Sequence, residues 1–242
     1  MSTASIKTPL PEPSYSELVK RTVEACGLAR EAAAIAAEGV ATGSMSRLND
    51  IRRCEKDLDA IDLEVDSGVT STITRVPETE TRQLLACMKL MIGLERIGDL
   101  LLSFATSAQA AGGRIDTQDS RELTQMATIL EKMLADVGNA FSQRDLKKAI
   151  EVLRADAEMD RLRNLIFMRH IENPENIQLH SSLQVIFMTQ SLERAGDHAK
   201  NLAEEVCHFV SGRSIRHVLM DYDKSREHLF IERLRHKENT DQ

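Results

Sequence analysis

Two copies of a short acidic phrase carry the residues whose types and spacing could support chemistry. The chain reads LERIGD at residues 94–99 and LERAGD at residues 192–197. In each copy the two acids are four residues apart, so on a helix both carboxylates lie on one face about one turn apart. Carboxylates at this spacing are suited to binding a cation. These acids are Glu95 with Asp99 and Glu193 with Asp197.

Further acids follow the same spacing in the segment before each phrase. Asp156 and Asp160 form another pair four residues apart. A second set falls within about 60° on a helical wheel; its members are Glu55, Asp59, Asp62 and Asp66. If these segments lie beside the phrases, several carboxylates gather and must protonate, pair with Lys or Arg, or bind a cation. Oxygen ligands favour hard cations such as Mg²⁺, Ca²⁺ or Mn²⁺, and also iron.

Other interpretations of these acids stay open from spacing alone. Charged helix flanks are usually solvated, and Arg96 and Arg194, each next to an acid, can neutralise them. The flanks can also serve as docking surfaces for a basic patch on a partner. Gly98 and Gly196 favour a functional interpretation, because a glycine inside a helix costs about 1 kcal/mol relative to alanine and permits close approach of a neighbouring helix.

The composition predicts an acidic, all-α protein. Hydrophobic residues make up 42% of the 242 residues, charged residues 29% and aromatic residues 3%, with no Trp. Such a composition favours helices over strands. The net charge of −7 argues against a nucleic-acid-binding surface, which needs clustered Lys and Arg. We find no apolar run of the roughly 20 residues that span a membrane, no signal peptide and no disulfide framework, and expect a cytoplasmic protein.

Prolines and the repeated phrase divide the chain into similar halves. Pro77 and Pro174 are 97 residues apart, close to the 98-residue spacing of the phrase, and Asp62 matches Asp160 at that offset. We predict two tandem three-helix up-down bundles related by internal duplication. The predicted helices cover 15–42, 45–74, 78–110, 116–142, 145–172 and 175–211. The predicted domains are a disordered leader (1–14), bundles at 15–111 and 114–217, and a C-terminal tail (218–242) whose pattern allows a short helix over 219–237.

Apolar stripes at helical spacing define the candidate core, and the acids lie on the wheel about 100–150° away from them. The three stripes are Leu94, Ile97, Leu101, Ala105 and Ala108; Val152, Ala155, Met159, Leu162 and Ile166; and Leu192, Ala195, Ala199, Ala203 and Val206. We therefore expect the acids on a flank of each bundle, away from its axis.

The two phrases and their surroundings resemble the PhoU family. LERIGDLLLSFA (94–105) and LERAGDHAKNLAEEVCHFVSGRSIRH (192–217) are similar to the signature third helices of that family, and the resemblance covers about residues 15–217. It implies a cytoplasmic regulator, often a homodimer, that restrains the phosphate-starvation response. The implied partners are the ATPase subunit of the phosphate transporter and a membrane sensor histidine kinase.

The resemblance also implies bound metal, because PhoU-like proteins carry E(D)xxxD motifs on neighbouring helices that hold metal clusters. The ion would be divalent or iron (Fe, Mn, Mg or Zn). At the 98-residue offset, however, the partner motif of the first half has Leu58 in place of an acid, while Glu55 and Asp59 form the motif in a shifted register. We therefore expect the second site to be the more complete. The predicted metal ligands are Glu193, Asp197, Asp156, Asp160, Glu95, Asp99, Asp62 and Asp59.

Parts of the sequence are also compatible with two other functions. The stretch TRVPETETR (74–82) departs from the family pattern, which leaves room for a helical adaptor with a different partner. A di-iron carboxylate enzyme is a different class, but it needs a Glu-x-x-His motif on each of two helices. Glu205 and His208 give a single copy, and all seven histidines lie between His170 and His236. We predict a regulator and not an enzyme.

Overall fold

The computed structural model describes residues 13–172 and 179–212, and this part of the chain contains helices and no strand. A single 3₁₀ turn (Ile73–Arg75) follows the third helix. The helices are α1 (Tyr15–Thr42), α2 (Met45–Leu48), α3 (Ile51–Thr72), α4 (Glu78–Ala111), α5 (Thr117–Gln143), α6 (Leu146–Glu172) and α7 (Leu179–Ser211). The predicted all-α fold is confirmed. Residues 1–12, the predicted start of the last long helix at 175–178, and the tail at 218–242 lie outside the described residues.

One predicted helix is interrupted. The continuous helix expected over 45–74 is instead α2 followed, after Asn49 and Asp50, by α3. Both of these side chains accept hydrogen bonds from other side chains. Gln109 Nε2 donates to Asn49 Oδ1 at 2.8 Å, and Arg47 donates to Asp50 Oδ2 at 2.6 Å. The low helix propensity of Asn and Asp agrees with a break at this point.

Polar caps and left-handed glycines set several helix ends. Ser14 and Glu17 form a capping box at the start of α1, in which the Ser14 side chain accepts from the Glu17 amide. Asp116 accepts from two backbone amides at the start of α5. Gly43 and Gly112 end α1 and α4 with φ of 68° and 59°, a conformation that glycine adopts without steric cost.

The two bundles share one core. Within the halves, α3 packs on α1 and α4, and α6 packs on α5 and α7; the most extensive helix contacts nevertheless run between halves, α4 with α7 and α1 with α5. The buried apolar side chains accordingly form one cluster that passes through both halves and includes Phe104 and Phe141. The outer helices α3 and α6 flank this central group of four, and the acidic phrases lie on α4 and α7 where the outer helices meet it.

The four cysteines are free and buried, as the sequence predicted. Burial raises the pKa of the Cys26 thiol to about 12. Among the described helices, none combines the length and the apolarity needed to cross a membrane.

Candidate functional site

The glycines of the two phrases lie where an outer helix comes close. A Cβ added to Gly98 would lie 3.0 Å from Leu58 Cδ1 on α3, and one added to Gly196 would lie 3.3 Å from Met159 Cγ on α6. The expectation that these glycines permit close helix packing is therefore confirmed. The apolar stripes of α4 and α7 are buried as predicted, so the remaining face of each phrase turns its acids toward the edge of the bundle.

Five carboxylates from α3 and α4 form what we call the first acidic flank: Glu55, Asp59, Asp62, Glu95 and Asp99. Burial raises the pKa of Glu95, and the charges of Asp99, Asp59 and Asp62 raise it further. Burial also raises the pKa of Glu55, with added contributions from Asp59 and Asp99. The acids of the two helices therefore lie within electrostatic range of each other.

Arg96 forms only weak, solvent-exposed ion pairs with the first acidic flank. Arg96 approaches Glu95 at 3.5 Å and Asp99 at 4.0 Å, and its own side chain is 61% exposed. Exposed pairs of this kind contribute little, because water screens them. Burial and the neighbouring Asp66 and Asp59 also raise the pKa of Asp62, so like-charge repulsion extends along α3.

The second acidic flank consists of Asp156 and Asp160 on α6 and Glu193 and Asp197 on α7. Its chemistry differs, because Lys200 Nζ donates a hydrogen bond to Asp156 Oδ2. Asp156, expected on an exposed flank, is only 8% exposed, and a buried carboxylate requires such a partner.

Two further arginines act on the second acidic flank. Burial, Asp197 and Asp160 raise the pKa of Glu193, while Arg163 and Arg194 lower it. Lys200 and Arg163 thus place positive charge among the acids of the second acidic flank. These side chains already offset part of the carboxylate repulsion that a bound cation would offset.

The two outer helices are aligned differently on their partners. Gly98 and Gly196 are 98 residues apart, whereas their closest contacts, Leu58 and Met159, are 101 residues apart. The contact of α3 with α4 is therefore shifted by three residues relative to the contact of α6 with α7. Three residues are nearly one helical turn. The acids show the same displacement: the glutamate of the first phrase is in range of Asp59 and Asp62, and that of the second of Asp160 and Arg163.

This displacement corrects the prediction that the two halves match at a constant offset of 98 residues. Glu55 and Asp59 occupy the places of Asp156 and Asp160, so the first half has a complete acidic motif on α3 and Leu58 does not interrupt it. Asp62 occupies the place of Arg163. At the position of Lys200 the first half has Leu102, so the first acidic flank lacks both internal cations of the second.

The donors of the first acidic flank fit a hard cation in chemistry and charge, but they do not form a finished coordination shell. Among the described residues, no three His, Cys, Asp or Glu side chains converge closely enough to hold an ion. Rotation of side chains on fixed helices would have to bring the oxygens together. On the second acidic flank, the Lys200 ammonium would also have to leave Asp156.

Sequence reasoning missed Lys200 and Arg163. A signal was present, because Lys200 lies three residues after Asp197 and Arg163 three after Asp160, each on the face of its acid. Spacing alone could not show that Lys200 reaches Asp156, since that depends on how α6 and α7 are aligned.

Sequence reasoning also missed a buried polar network that joins α5, α6 and α7. A hydrogen bond of 3.0 Å joins His170 Nε2 and Asp119 Oδ2, another of 2.8 Å joins His170 Nδ1 and Ser182 Oγ, and Arg169 donates to Asp119 and Glu122. Asp119, His170 and Ser182 are 2%, 6% and 8% exposed. A Ser-His-Asp set so deeply buried is inaccessible to a substrate, and we assign it to fastening the helix ends.

Comparisons with known proteins agree with the resemblance seen in the sequence. The family model "PhoU domain" matches residues 22–108 and 123–206. The phosphate-specific transport system accessory protein PhoU homolog of Zymomonas mobilis is 28% identical over 165 residues, which cover 66% of this chain and 70% of that one. The homolog of the same name in Rhizobium meliloti is 26% identical over 202 residues, or 81% and 84% of the two chains.

Solved structures share the fold. The crystal structure of PhoU from Pseudomonas aeruginosa superposes with a TM-score of 0.74 at 22% identity and covers 82% of this chain and 97% of that chain. PhoU from Streptococcus pneumoniae gives a TM-score of 0.74 at 19% identity, with 83% and 96% covered.

Proposed function

The chain belongs to the PhoU family, and from this premise we propose that it regulates phosphate uptake and phosphate-starvation signalling through protein contacts. The observation that carries the proposal is the match of the PhoU domain to both halves of the chain. Its relatives in Zymomonas mobilis and Rhizobium meliloti are named as accessory proteins of the phosphate-specific transport system. In this role the protein restrains the starvation response while phosphate is plentiful.

We propose that its partners are the ATPase subunit of the phosphate transporter and a membrane sensor histidine kinase, both met on the cytoplasmic side. Two acidic flanks on the outside of a rigid helical core suit the recognition of basic surfaces, since charge complementarity directs association and selects partners. The protein acts as a homodimer in this proposal. Large exposed apolar side chains on α6 and α7, including Leu165 (46% exposed), Met168 (51%) and Phe187 (48%), are typical of an interaction surface.

We further propose that a metal ion binds at the first acidic flank. Glu55 and Asp59 on α3 and Glu95 and Asp99 on α4 would hold it, and Asp62 lies beside them. Burial and the charges of Asp59 and Asp99 raise the pKa of Glu55 and Glu95, and a hard cation such as Mn²⁺, Mg²⁺ or iron would relieve that repulsion. The second acidic flank, with Lys200 on Asp156, is the weaker site.

The regulatory role is tested by deleting the gene in its source organism. With the restraint removed, alkaline phosphatase output in phosphate-rich medium rises, and the wild-type gene restores low output. Unchanged output would contradict regulation of phosphate signalling and favour a helical adaptor with a different partner. Binding of the purified protein to the purified ATPase subunit then tests the proposed contact directly.

The metal proposal is tested by equilibrium dialysis with Mn²⁺, followed by elemental analysis. Asp59→Asn with Glu95→Gln removes one acid from each helix of the first acidic flank, and we expect retained metal to be lost. The matched control is Asp160→Asn with Glu193→Gln, which alters the second acidic flank equally and is expected to keep most of the metal. Absence of metal on the wild type, or equal loss from both variants, would contradict the assignment.

A further inference from the structure

A groove lies between the start of α4 and the end of α7, on a surface that the acidic flanks do not use. Its volume is about 360 Å³ and its lining is mainly apolar. That volume is at the lower end of the range of about 300–1,000 Å³ for ligand pockets. The lining residues are Arg82, Leu85, Ala86, Lys89, Glu205, His208, Phe209 and Gly212.

Two large apolar side chains on this face of α4 are exposed, and the first of them lines the groove. Leu85 is 46% exposed, and Ile92, two turns further along the same face, is 62% exposed. On the α7 side the ring of Phe209 is fixed from behind by Phe141, with ring centroids 5.7 Å apart, and by the Arg144 guanidinium 5.2 Å from its centroid. The groove is therefore a formed apolar surface with a rigid aromatic wall.

Basic side chains border the apolar stripe of α4. Arg82, Leu85 and Lys89 follow i, i+3, i+7, so both cations lie on the face of the leucine. Lys89 Nζ donates to Glu205 Oε2 at 2.7 Å across the groove, and its side chain remains 51% exposed. Arg82 forms a similar ion pair with Glu78 on the same helix. The surface thus presents an apolar centre with an exposed ion pair at each end.

The chain itself leaves α7 at this groove. Gly212 lines it and ends α7 with φ of 67°, its amide bonded to the His208 carbonyl. A left-handed residue at this point turns the backbone away from the helix axis. Thirty residues, 213–242, follow in the sequence, while the family match ends at residue 206.

The residues that follow carry a pattern complementary to the groove. On a helical wheel Phe230, Ile231 and Leu234 fall within about 100°, and Glu227 and Glu238 lie four residues before Ile231 and four after Leu234. The pattern is an apolar patch flanked by charges of both signs, since Arg226, Arg233, Arg235 and Lys237 lie among these acids. Seventeen residues separate Gly212 from Phe230, ample reach at roughly 3.3 Å for each extended residue.

We propose that the segment around Phe230–Leu234 docks into the groove between α4 and α7 of its own chain, with Phe230, Ile231 and Leu234 on Leu85 and Phe209 and with its charged side chains beside the ion pairs that border the groove. This contact covers an apolar surface of the helical core with a segment that lies outside the family match.

The test uses the absence of tryptophan from the chain. Phe230→Trp in the full chain introduces a single fluorophore into the segment. In the docked state its emission is blue-shifted and protected from acrylamide quenching. Adding Leu85→Asp to the groove shifts the emission to the red and removes the protection. The matched control is Leu63→Asp, at an equally apolar residue on α3 that is 72% exposed and outside the groove, and it leaves both signals unchanged.

A second variant keeps the test decisive if Leu85→Asp perturbs α4. Leu85→Ala removes the exposed apolar contact with no new charge and with a good helix former, and it is expected to raise quenching in part. A fully exposed tryptophan in the Phe230→Trp chain would overturn the proposal, as would protection that Leu85→Asp and Leu85→Ala both leave intact. Protection that disappears on dilution would show that a second copy fills the groove, which also overturns docking within one chain.

Discussion

Lys200 shows how one side chain changes what an acidic flank can do. Its ammonium lies on the buried carboxylate of Asp156, and the hydrogen bond and charge of that carboxylate raise the pKa of Lys200. Leu102 at the equivalent position of the first half offers no charge. Two copies of one acidic phrase therefore differ in their need for an external cation.

Replacement of Lys200 by methionine tests this difference. Lys200→Met leaves Asp156 without its partner and is expected to lower the free energy of unfolding by about 1–2 kcal/mol, less than for a fully buried pair because Lys200 is 37% exposed. The variant gains a response to Mn²⁺ at the second acidic flank, seen as a larger metal-dependent rise in Tm than in wild type. Lys132→Met, at an exposed lysine on α5, is the control; equal metal responses in all three proteins would refute the idea.

Glycines inside helices provide a second test at this scale. Gly27 in α1 has open space where a Cβ would be added, whereas a Cβ on Gly93 would lie 2.5 Å from Leu202 Cδ2 and 3.3 Å from Leu202 Cγ. Gly27→Ala should stabilise by about 0.5–1 kcal/mol through helix propensity. Gly93→Ala should destabilise by about 1–2 kcal/mol because overpacking at the contact of α4 with α7 exceeds that gain. Urea unfolding measures both, and the same sign for both would contradict the packing described.

At the scale of elements, the long helices could be predicted from the sequence, and most ends fall within one residue of expectation. Proline positions and capping residues decide those ends locally. The interruption at Asn49 was not predicted, and the contact of Asn49 with Gln109, sixty residues away, could not be inferred from local spacing. The alignment of α3 on α4 was missed for a similar reason: a displacement of three residues rotates a helix by only about 60°, so the apolar stripe alone hardly distinguishes the two registers.

The pairing of α5 with α6 through Arg169 gives a prediction about pH. Burial raises the pKa of Glu122, but the hydrogen bonds and charge of Arg169 outweigh it and hold that pKa below its usual value. A depressed carboxyl pKa contributes stability that is present above the unfolded-state pKa of about 4.3 and is lost as pH falls through the folded-state pKa. Glu122→Gln should therefore be less stable than wild type at pH 6, with the difference shrinking toward pH 3.

Urea unfolding at several pH values between 6 and 3 measures this difference. Glu151→Gln, at an exposed glutamate of α6, serves as the control and is expected to follow wild type. A gap between wild type and Glu122→Gln that stays constant or widens in acid would contradict the role given to Arg169.

At the scale of the whole molecule, the two halves are repeats in sequence but one body in packing. Short connections predicted two three-helix bundles, and each outer helix does pack within its own half. Apolar stripes could not reveal that α4 joins α7 and α1 joins α5, since a stripe shows which face is buried but not what covers it. The shared core means that either half alone would expose the surface it gives to the other.

A single unfolding transition follows from this shared core. In scanning calorimetry of the chain we expect one peak, with the calorimetric enthalpy equal to the van't Hoff enthalpy. Substituting Phe104 of the first half or Phe141 of the second by leucine should lower that one Tm without splitting the peak. Two resolved transitions, each moved by only one of the substitutions, would show that the halves unfold separately.

The three-residue displacement of α3 has a consequence for how such repeats diverge. Between the acid pair of the outer helix and the phrase, the first half is three residues longer than the second, which is nearly one turn of helix. The extra residues lie before Pro77, either in the 3₁₀ turn Ile73–Arg75 or ahead of it. A length change of this size slides an outer helix along its neighbour and exchanges which acids face the phrase while the apolar face stays buried. An insertion or deletion in the connection between α3 and α4 can therefore change the charge pattern of the flank in a single step, without any point substitution in the flank itself.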